Sequence, residues 1–228
     1  MNRRQFISAG LAVATSASLP LYASADHRQF RVIALVFDDF ETLDLHGPVE
    51  MLGHMEGCTI ELVGARSITR SYQGPKVVSD LAMDNVHPCD LFLIPGGVGT
   101  RKLVKDKTLL TWIAQQCQVS AKVFTVCTGS ALLASTPLLD GVSATTNKQA
   151  YAWVTHLNPR VNWQPRARWV NQGKYITSSG VSAGTDAALE LVRLYRGEKE
   201  ARRIAALAEY QWNSDADNDP FAVEISPL

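Results

Sequence analysis

The sequence has the length and composition of an ordinary globular domain. Of its 228 residues, 46% are hydrophobic and 19% are charged. These proportions exclude a collagen, a coiled coil and a disordered chain. The 22 basic and 22 acidic residues balance at neutral pH, whereas a nucleic-acid-binding domain normally carries an excess of positive charge. We therefore expect no nucleic-acid partner.

The first 25 residues have the pattern of a cleaved export signal. They contain no acidic residue, and Arg3-Arg4 precedes a small-residue and apolar run over residues 6–21 that is followed by Ala23-Ser24-Ala25. A basic start, a short apolar run and small residues at the end are typical of secretory signals. The stretch around the arginine pair resembles the twin-arginine motif of bacterial export. We predict a periplasmic protein of residues 26–228; a membrane anchor is the alternative, but the run is short for a span.

Five short apolar runs alternate with helical patterns along the rest of the chain. Short runs rich in branched residues are expected of strands buried on both faces. Their alternation with helices predicts a single α/β domain, in which a mostly parallel sheet has helices on both faces and ligands bind beyond the carboxyl ends of the strands. The predicted strands are Arg31–Phe37, Thr59–Val63, Asp90–Ile94, Lys122–Val126 and Lys174–Thr177, and the predicted helices are Leu109–Val119, Gly129–Ala134 and Ala183–Tyr195.

Three further segments have patterns of their own. Residues Ile68–Val78 predict a small hairpin, because Gly74-Pro75 separates two runs rich in strand-forming residues. Residues Glu198–Tyr210 predict a closing helix. The polar and acidic stretch Ser214–Pro220 predicts a frayed tail.

Cys127 occupies a turn between a predicted strand and a predicted helix. Small residues around such a turn raise the side chain to the carboxyl edge of the sheet, as in a nucleophile elbow. The free amides at the start of the helix favour negative charge, so we expect the pKa of the thiol to fall. A buried and inert cysteine is the alternative.

The glycine-rich loop Pro95–Thr100 follows the third predicted strand. Glycines allow backbone amides to approach a ligand closely, so this loop could supply one donor for an oxyanion while the Thr128 amide supplies another. Its spacing matches neither a dinucleotide-binding fingerprint nor a P-loop. An ordinary tight turn is the alternative.

Asp44 lies between two leucines shortly after the first predicted strand. An aspartate at a helix start is most often a cap. Its carboxyl group could equally lie over the strand ends, within reach of Cys127. Two adjacent negative charges oppose each other, so in that arrangement one proton would be shared and Asp44 could act as acid and base.

The remaining cysteines give no metal-binding pattern. Cys58, Cys89 and Cys117 have neither the C-x-x-C spacing nor the nearby histidine pair of a zinc site. In an oxidising compartment the chain could form two disulfides, and a pair of Cys58 with Cys89 is conceivable. The sequence leaves the pairing open.

One motif resembles the site of a serine hydrolase. Gly180–Gly184 matches G-x-S-x-G, but those enzymes place the catalytic histidine after the serine, and the last histidine here is His156. We therefore predict that this segment serves close packing of a helix start. Histidines such as His46, His54 and His156 are more often packed or solvated than catalytic; of these, His46 is the one to compare with the site.

Four motifs occur in order along the chain. They are Ala34–Phe37 with Leu43–Pro48, Ile94–Arg101, Val126–Ser130, and Leu138–Gly141 with Ala144–Thr146. Together with Gly180–Asp186 and Glu209-Tyr210, they resemble the DJ-1/PfpI family and, within it, the isonitrile hydratase branch. The resemblance implies a flavodoxin-like α/β sandwich, similar to class I glutamine amidotransferases, that acts on a small molecule, is usually a homodimer and needs neither cofactor nor metal.

The resemblance also implies a role for each matching residue. Cys127 would be the nucleophile, Asp44 its carboxylic partner, and Thr128 would adjust the thiolate. The amides of Gly97 and Thr128 would hold developing charge, with Val98 in the substrate-binding loop. In the hydratase branch, the thiolate adds to the terminal carbon of an isonitrile and water then releases an N-substituted formamide.

Related branches leave other functions open. Some members act on α-oxoaldehydes as glyoxalases or deglycases, and others are sensors that use an oxidised cysteine. Peptidase activity is not expected, because no histidine directly follows Cys127, and Asn147 stands where many relatives have histidine. The 18 residues after Tyr210 are too few for the helix-turn-helix pair of related transcription regulators.

Overall fold

A computed structural model of the chain describes residues 29–222, which form an α/β domain. The strands are β1 (Phe30–Val36), β2 (Cys58–Gly64), β3 (Ile68–Arg70), β4 (Lys76–Val78), β5 (Leu81–Ala82), β6 (Cys89–Ile94), β7 (Ser120–Thr125), β8 (Ser143–Ala144), β9 (Asn162–Trp163), β10 (Trp169–Gln172) and β11 (Tyr175–Ser178). The helices are α1 (Thr42–Gly53), α2 (Thr100–Leu103), α3 (Lys107–Val119), α4 (Gly129–Ala134), α5 (Tyr151–Leu157), α6 (Ala183–Arg196) and α7 (Glu198–Leu207), with a 3₁₀ turn at Pro137–Leu139.

Seven strands form the central sheet in the order β10-β11-β7-β6-β1-β2-β5. Every pair is parallel except β10 with β11. The chain runs from β1 to β2 on one side and later returns to β6 on the other side, so the strand order reverses between β1 and β6. In parallel sheets, ligands bind beyond the strand ends at such a reversal.

The sheet is buried because its strands are apolar along both faces. Val32, Ile33, Ala34 and Leu35 of β1 are fully buried, as expected for a strand that helices cover on both sides. One group of helices packs together through α1, α6 and α7, and another through α3, α4 and α5. The predicted fold class, a mostly parallel sheet surrounded by helices, is confirmed.

The predicted elements match the observed ones closely. All five predicted strands are present, and β3 and β4 form the predicted hairpin. Helix α3 begins two residues earlier than predicted, because the Asp106 side chain accepts a hydrogen bond from the Leu109 N–H and caps it. Helix α7 ends at Leu207 and not at Tyr210, since Glu209 has a φ of 50° that a helix cannot continue through.

The prediction of a frayed tail over residues 214–220 is wrong. The Arg168 N–H donates to the Ala216 carbonyl at 2.7 Å, and the Asp219 N–H donates to the Arg166 carbonyl at 2.9 Å. The Asp219 side chain is buried beside Arg168. The polar composition of this segment suggests a free end, but Asp219 is paired with the buried Arg168 side chain, a contact that no local sequence pattern predicts.

The predicted export signal, residues 1–25, lies outside the described part of the chain. Within residues 29–222, no helix combines the length and the apolar character needed to cross a membrane.

Candidate active site

Cys127 lies in a strained turn between β7 and α4. Its φ is 56°, which is rare for a residue other than glycine. The Cys127 N–H donates to the Ser179 carbonyl at 3.0 Å, and its own carbonyl accepts hydrogen bonds from the Ser130 hydroxyl at 2.9 Å and the Thr146 hydroxyl at 3.1 Å. Three bonds therefore hold the backbone in this conformation, as strained functional positions require. The predicted elbow geometry is present.

Asp44 lies fully buried in the first turn of α1. One carboxyl oxygen, Oδ2, accepts a hydrogen bond from the Gly96 N–H at 2.9 Å. The other, Oδ1, has no hydrogen bond of ordinary geometry among residues 29–222, and the thiol of Cys127, a weak donor, is the remaining hydrogen-bonding group that acts on the carboxyl. The structure thus brings Asp44 and Cys127 together. Asp44 is not a helix cap, since its side chain bonds to a different loop.

Gly96 allows this approach because it has no side chain. A Cβ atom at Gly96 would lie 2.5 Å from the Thr128 nitrogen and 2.8 Å from Asp44 Oδ2. Both distances are shorter than any stable contact, so any larger residue here would separate the loop from the carboxyl group. Proximity of Asp44 to the nucleophile therefore depends on this glycine.

The electrostatic state of the pair is set by burial. Removal from water raises the pKa of Asp44 from 3.8 to about 8, although the Gly96 N–H partly opposes this shift. Burial also raises the pKa of the Cys127 thiol above its ordinary value, and the negative charge of Asp44 raises it further. The predicted fall in the thiol pKa is therefore wrong. The amides at the helix start do lower it, but less than desolvation raises it.

Three donors surround the sulfur atom of Cys127. The backbone N–H groups of Thr128 and Val181 and the side-chain amide of Asn147 act on it as donors, and each lowers the thiol pKa. The Asn147 Oδ1 atom accepts from the Ala150 N–H at 2.9 Å, which leaves its amino group to face the sulfur. Burial and Asp44 keep the resting group a thiol. The three donors stabilise negative charge on the sulfur when it develops during a reaction.

Sequence reasoning missed Val181 and did not assign Asn147. Val181 lies in the motif that resembles a serine hydrolase site, and its φ of 37° is strained for a branched residue. The packing role predicted for this motif is present too, because a Cβ at Gly184 would lie 2.6 Å from the Val126 side chain. A signal for Val181 was its position in the turn shortly after β11, which ends at Ser178 on the same sheet edge as Cys127.

The Gly97 amide already has a hydrogen-bond partner in this structure. Its N–H donates to the Thr128 hydroxyl at 3.0 Å, so in this structure it is not available to an oxyanion. The Thr100 hydroxyl donates to the Gly97 carbonyl at 2.7 Å and lies 3.1 Å from the Thr128 hydroxyl. These bonds fix the loop to the elbow. Thr128 therefore acts on the sulfur through its amide, while its hydroxyl holds Gly97.

Val98 and His46 remain away from these contacts. The Val98 side chain is 43% exposed on the glycine-rich loop, where a substrate could contact it. The His46 Nδ1 atom pairs with the Thr42 carbonyl at 2.8 Å, and its ring stacks on Phe40. His46 is thus a surface residue of α1 and does not act on Cys127.

The four cysteines are free in the structure. Phe30 on β1 pairs with Cys58 on β2, and the register of β1 with β6 places Cys89 on its other side. Two strand spacings, about 9.5 Å, therefore separate Cys58 from Cys89, which exceeds the reach of a disulfide. The disulfide considered from the sequence is excluded.

A separate cleft of about 820 Å³ opens beside β1, α2 and α3. Cys127, Asp44 and Thr128 do not line it; its walls include Phe37, Leu103 and Trp112. We place the chemistry at Cys127 because the cleft lacks a nucleophile with a partnered acid. No three side chains of the kinds that bind metals come together within residues 29–222.

This fold and site define an α/β protein with a cysteine at a nucleophile elbow and a buried carboxylic acid beside it. Residues 30–194 match the DJ-1/PfpI family. The chain belongs to this family, and the predicted resemblance is confirmed.

Comparison with individual proteins gives a similar picture. The chain is 31% identical over 179 residues to the isonitrile hydratase of Pseudomonas putida, covering 77% of this chain and 76% of that protein. It is 28% identical to the transcriptional regulator GbdR of Pseudomonas aeruginosa, covering 78% of this chain but only 50% of the regulator. A ThiJ/PfpI family protein from Pseudomonas syringae has the same fold, with a TM-score of 0.73, 24% identity, and coverage of 87% of this chain and 84% of that one.

Proposed function

We propose that the protein is a cofactor-free cysteine enzyme that adds water to the terminal carbon of an isonitrile and produces an N-substituted formamide. The observation that carries this proposal is the buried pair of Asp44 and Cys127, with three donors around the sulfur. Similarity to the isonitrile hydratase of Pseudomonas putida supports the choice of substrate class.

The first step joins sulfur to the substrate. Because Asp44 has a pKa of about 8, its carboxyl group is mostly protonated at neutral pH and can donate a proton. As the Cys127 sulfur bonds to the terminal carbon, that carbon receives the proton of Asp44, and the thiol proton replaces it on the carboxyl group. The product is a thioimidate, R–N=CH–S–Cys127, and Asp44 ends the step neutral.

The second step releases the product. Water adds to the C=N bond, so that its oxygen bonds to carbon and one proton goes to nitrogen. The carbon–sulfur bond then breaks, the carbonyl of the formamide forms, and the remaining hydroxyl proton passes through Asp44 to sulfur. The amides of Thr128 and Val181 and the Asn147 side chain stabilise the charge on the departing sulfur. The sum is addition of one water to the isonitrile.

A substrate panel tests this proposal. Purified protein would be incubated with an aliphatic isonitrile, and the formamide would be measured by NMR. We expect turnover by the wild type and none by Cys127→Ala. The matched control is Cys117→Ala, which removes a buried cysteine of α3 and should retain turnover. Loss of methylglyoxal without any turnover of isonitriles would instead support the glyoxalase alternative.

We also propose that Val98 contacts the substrate. The side chain is exposed on the loop that the Gly97–Thr128 hydrogen bond fixes to the elbow. We expect Val98→Ala to raise KM for bulky isonitriles while kcat changes little, since the reacting atoms are untouched. An unchanged KM would show that the Val98 side chain does not contact the substrate.

We further propose that the protein works in the periplasm after removal of residues 1–25. The twin arginines and the small residues before Asp26 support this. Fractionation of cells that express the full chain should give a periplasmic product whose N-terminus is Asp26. Substitution of both arginines, Arg3 and Arg4, by lysine should leave the precursor in the cytoplasm, and an equal amount of periplasmic product would contradict the proposal.

A homodimer that binds a small molecule remains our proposal for the assembly, on the basis of family resemblance. Light scattering of the purified mature chain would give twice the mass of one chain if this is correct. A monomer mass at micromolar concentration would contradict it.

A further inference from the structure

Asp186 connects the start of α6 with Arg168 and with the segment after α7. It is fully buried in the first turn of α6. Its carboxyl group accepts hydrogen bonds from Arg168 Nε at 2.8 Å, from the Tyr210 hydroxyl at 3.0 Å and from the Asn213 N–H at 2.9 Å. Its carbonyl also accepts from the Trp212 indole at 3.1 Å. The chain after α7 is thus fastened to the start of α6.

The same contacts lead to the nucleophile through the backbone. The Cys127 N–H donates to the Ser179 carbonyl at 3.0 Å, and the Ser179 N–H donates to the Arg168 carbonyl at 2.8 Å. The Arg168 N–H in turn donates to the Ala216 carbonyl at 2.7 Å. A continuous series of three hydrogen bonds therefore joins the segment after α7 to the strained cysteine.

The side chain of Arg168 completes the arrangement. It is 6% exposed and forms ion pairs with Asp186 and, at 3.6 Å, with Asp219. It also lies 3.5 Å from the Ser182 hydroxyl. Ser182 directly follows Val181, whose amide reaches the sulfur of Cys127. A buried ion pair is weak evidence of added stability, but the bonds of Arg168 to Asp186 and Asp219 hold its side chain next to Ser182.

We propose that Asp186 is a positioning residue. Together with Arg168 and residues 210–219, it holds the turn of residues 179–182, so that the Val181 N–H stays close to the sulfur of Cys127. This inference rests on the proposed role of Cys127 as the nucleophile. Asp186 does not touch the reacting atoms. Its effect passes through the start of α6, where a strained residue would otherwise relax away from the sulfur.

Tyr210→Phe is the mildest test, because it removes one hydroxyl that donates to Asp186. The matched control is Tyr175→Phe, at the amino end of β11 and far from the carboxyl edge where Cys127 lies. The readout is the rate of iodoacetamide alkylation of Cys127 at pH 8, measured by peptide mass spectrometry. This readout needs no substrate, so it stands even if isonitriles are not the substrates.

We expect Tyr210→Phe to slow alkylation of Cys127 by about threefold. Loss of the hydroxyl that donates to Asp186 should let the Val181 N–H, which favours the Cys127 thiolate, move away from the sulfur. Asp186→Asn should slow it more, and Tyr175→Phe should leave it unchanged. With an active substrate, kcat should fall while KM stays constant. Melting temperatures would show that each variant is folded. Wild-type alkylation rates in folded Tyr210→Phe and Asp186→Asn would overturn the proposal.

Discussion

The carboxyl group of Asp44 and the thiol of Cys127 are buried together, and the charge of Asp44 opposes ionisation of the thiol. One side chain comes from α1 after the first strand, and the other from the elbow after β7. The pair can carry one negative charge far more easily than two. Chemistry at this site therefore needs proton transfer between the two groups and not a resting thiolate.

Asp44→Asn should change reactivity and turnover in opposite directions. The neutral amide removes the negative charge that raises the pKa of Cys127, so alkylation of Cys127 above pH 8 should become faster by about tenfold, equivalent to one pKa unit. Hydration of isonitriles should be lost, because an amide cannot relay the proton. Parallel measurement of iodoacetamide alkylation and formamide formation checks this. Turnover that survives in Asp44→Asn would exclude the carboxyl group as the proton relay.

The same substitution should stabilise the fold at neutral pH. Folding raises the pKa of Asp44 from 3.8 to about 8, so the folded state holds this proton more tightly than the unfolded state. The contribution of Asp44 to the free energy of unfolding is therefore greatest below pH 4 and declines as the pH rises to about 8. The free energy of unfolding of Asp44→Asn should exceed that of the wild type by on the order of a few kcal/mol at pH 8 and should equal it at pH 4. Urea unfolding at both pH values checks this, and an equal gain at both would contradict it.

Gly96→Ala should lower turnover by about 100-fold while the protein stays folded. The new Cβ would lie 2.5 Å from the Thr128 nitrogen and 2.8 Å from Asp44 Oδ2, so the loop must move and the carboxyl group loses its bond to the Gly96 N–H. A displacement of about 1 Å at reacting groups can cost on the order of 100-fold in rate.

The matched control for Gly96→Ala is Gly53→Ala at the end of α1. A Cβ there would meet only the Ile60 side chain, at an ordinary 3.8 Å. We expect kcat of Gly53→Ala to equal that of the wild type. Full activity of Gly96→Ala would show that the close approach of this loop to Asp44 is not needed.

Asn147→Asp should make Cys127 less reactive. The carboxylate retains the oxygen that accepts from the Ala150 N–H, but it replaces the amino group that donates to the sulfur with a negative charge. We expect alkylation at pH 8 to slow by about tenfold or more, because a nearby like charge raises the thiol pKa. Asn162→Asp, at a β9 residue whose amide bonds to the Gly141 carbonyl, is the matched control. An equal effect in both variants would show that Asn147 does not act specifically on the sulfur of Cys127.

The sequence was sufficient to predict the sheet and the elbow, because these follow from periodicity and from strands that end at one edge. For Asp44 the pattern alone left a helix cap and a partner of Cys127 open, and the family resemblance favoured the second. It was not sufficient to predict the contacts of Val181 and Asn147, which approach the sulfur from segments far along the chain. The thiol pKa was predicted in the wrong direction, since helix amides are visible in a sequence and depth of burial is not. The sequence also does not show that the Gly97 N–H is already paired, because the hydroxyl that accepts from it belongs to Thr128, 31 residues further along.

The tail of the chain shows a similar limit. Residues 214–220 have a composition typical of a frayed end, yet Asp219 is buried beside Arg168. Fifty residues separate these partners, and neither segment alone indicates that the other exists. Long-range ion pairs of this kind become visible only after the fold has brought the segments together.

The most direct test of the central claim is mass spectrometry of the Cys127 peptide from protein quenched within milliseconds of mixing with an isonitrile. If the thioimidate forms, the peptide carries the added mass of one intact isonitrile, and the adduct decays as formamide appears. Formamide production with Cys127 unmodified at every time point, or equal production by Cys127→Ala, would contradict covalent catalysis by this residue.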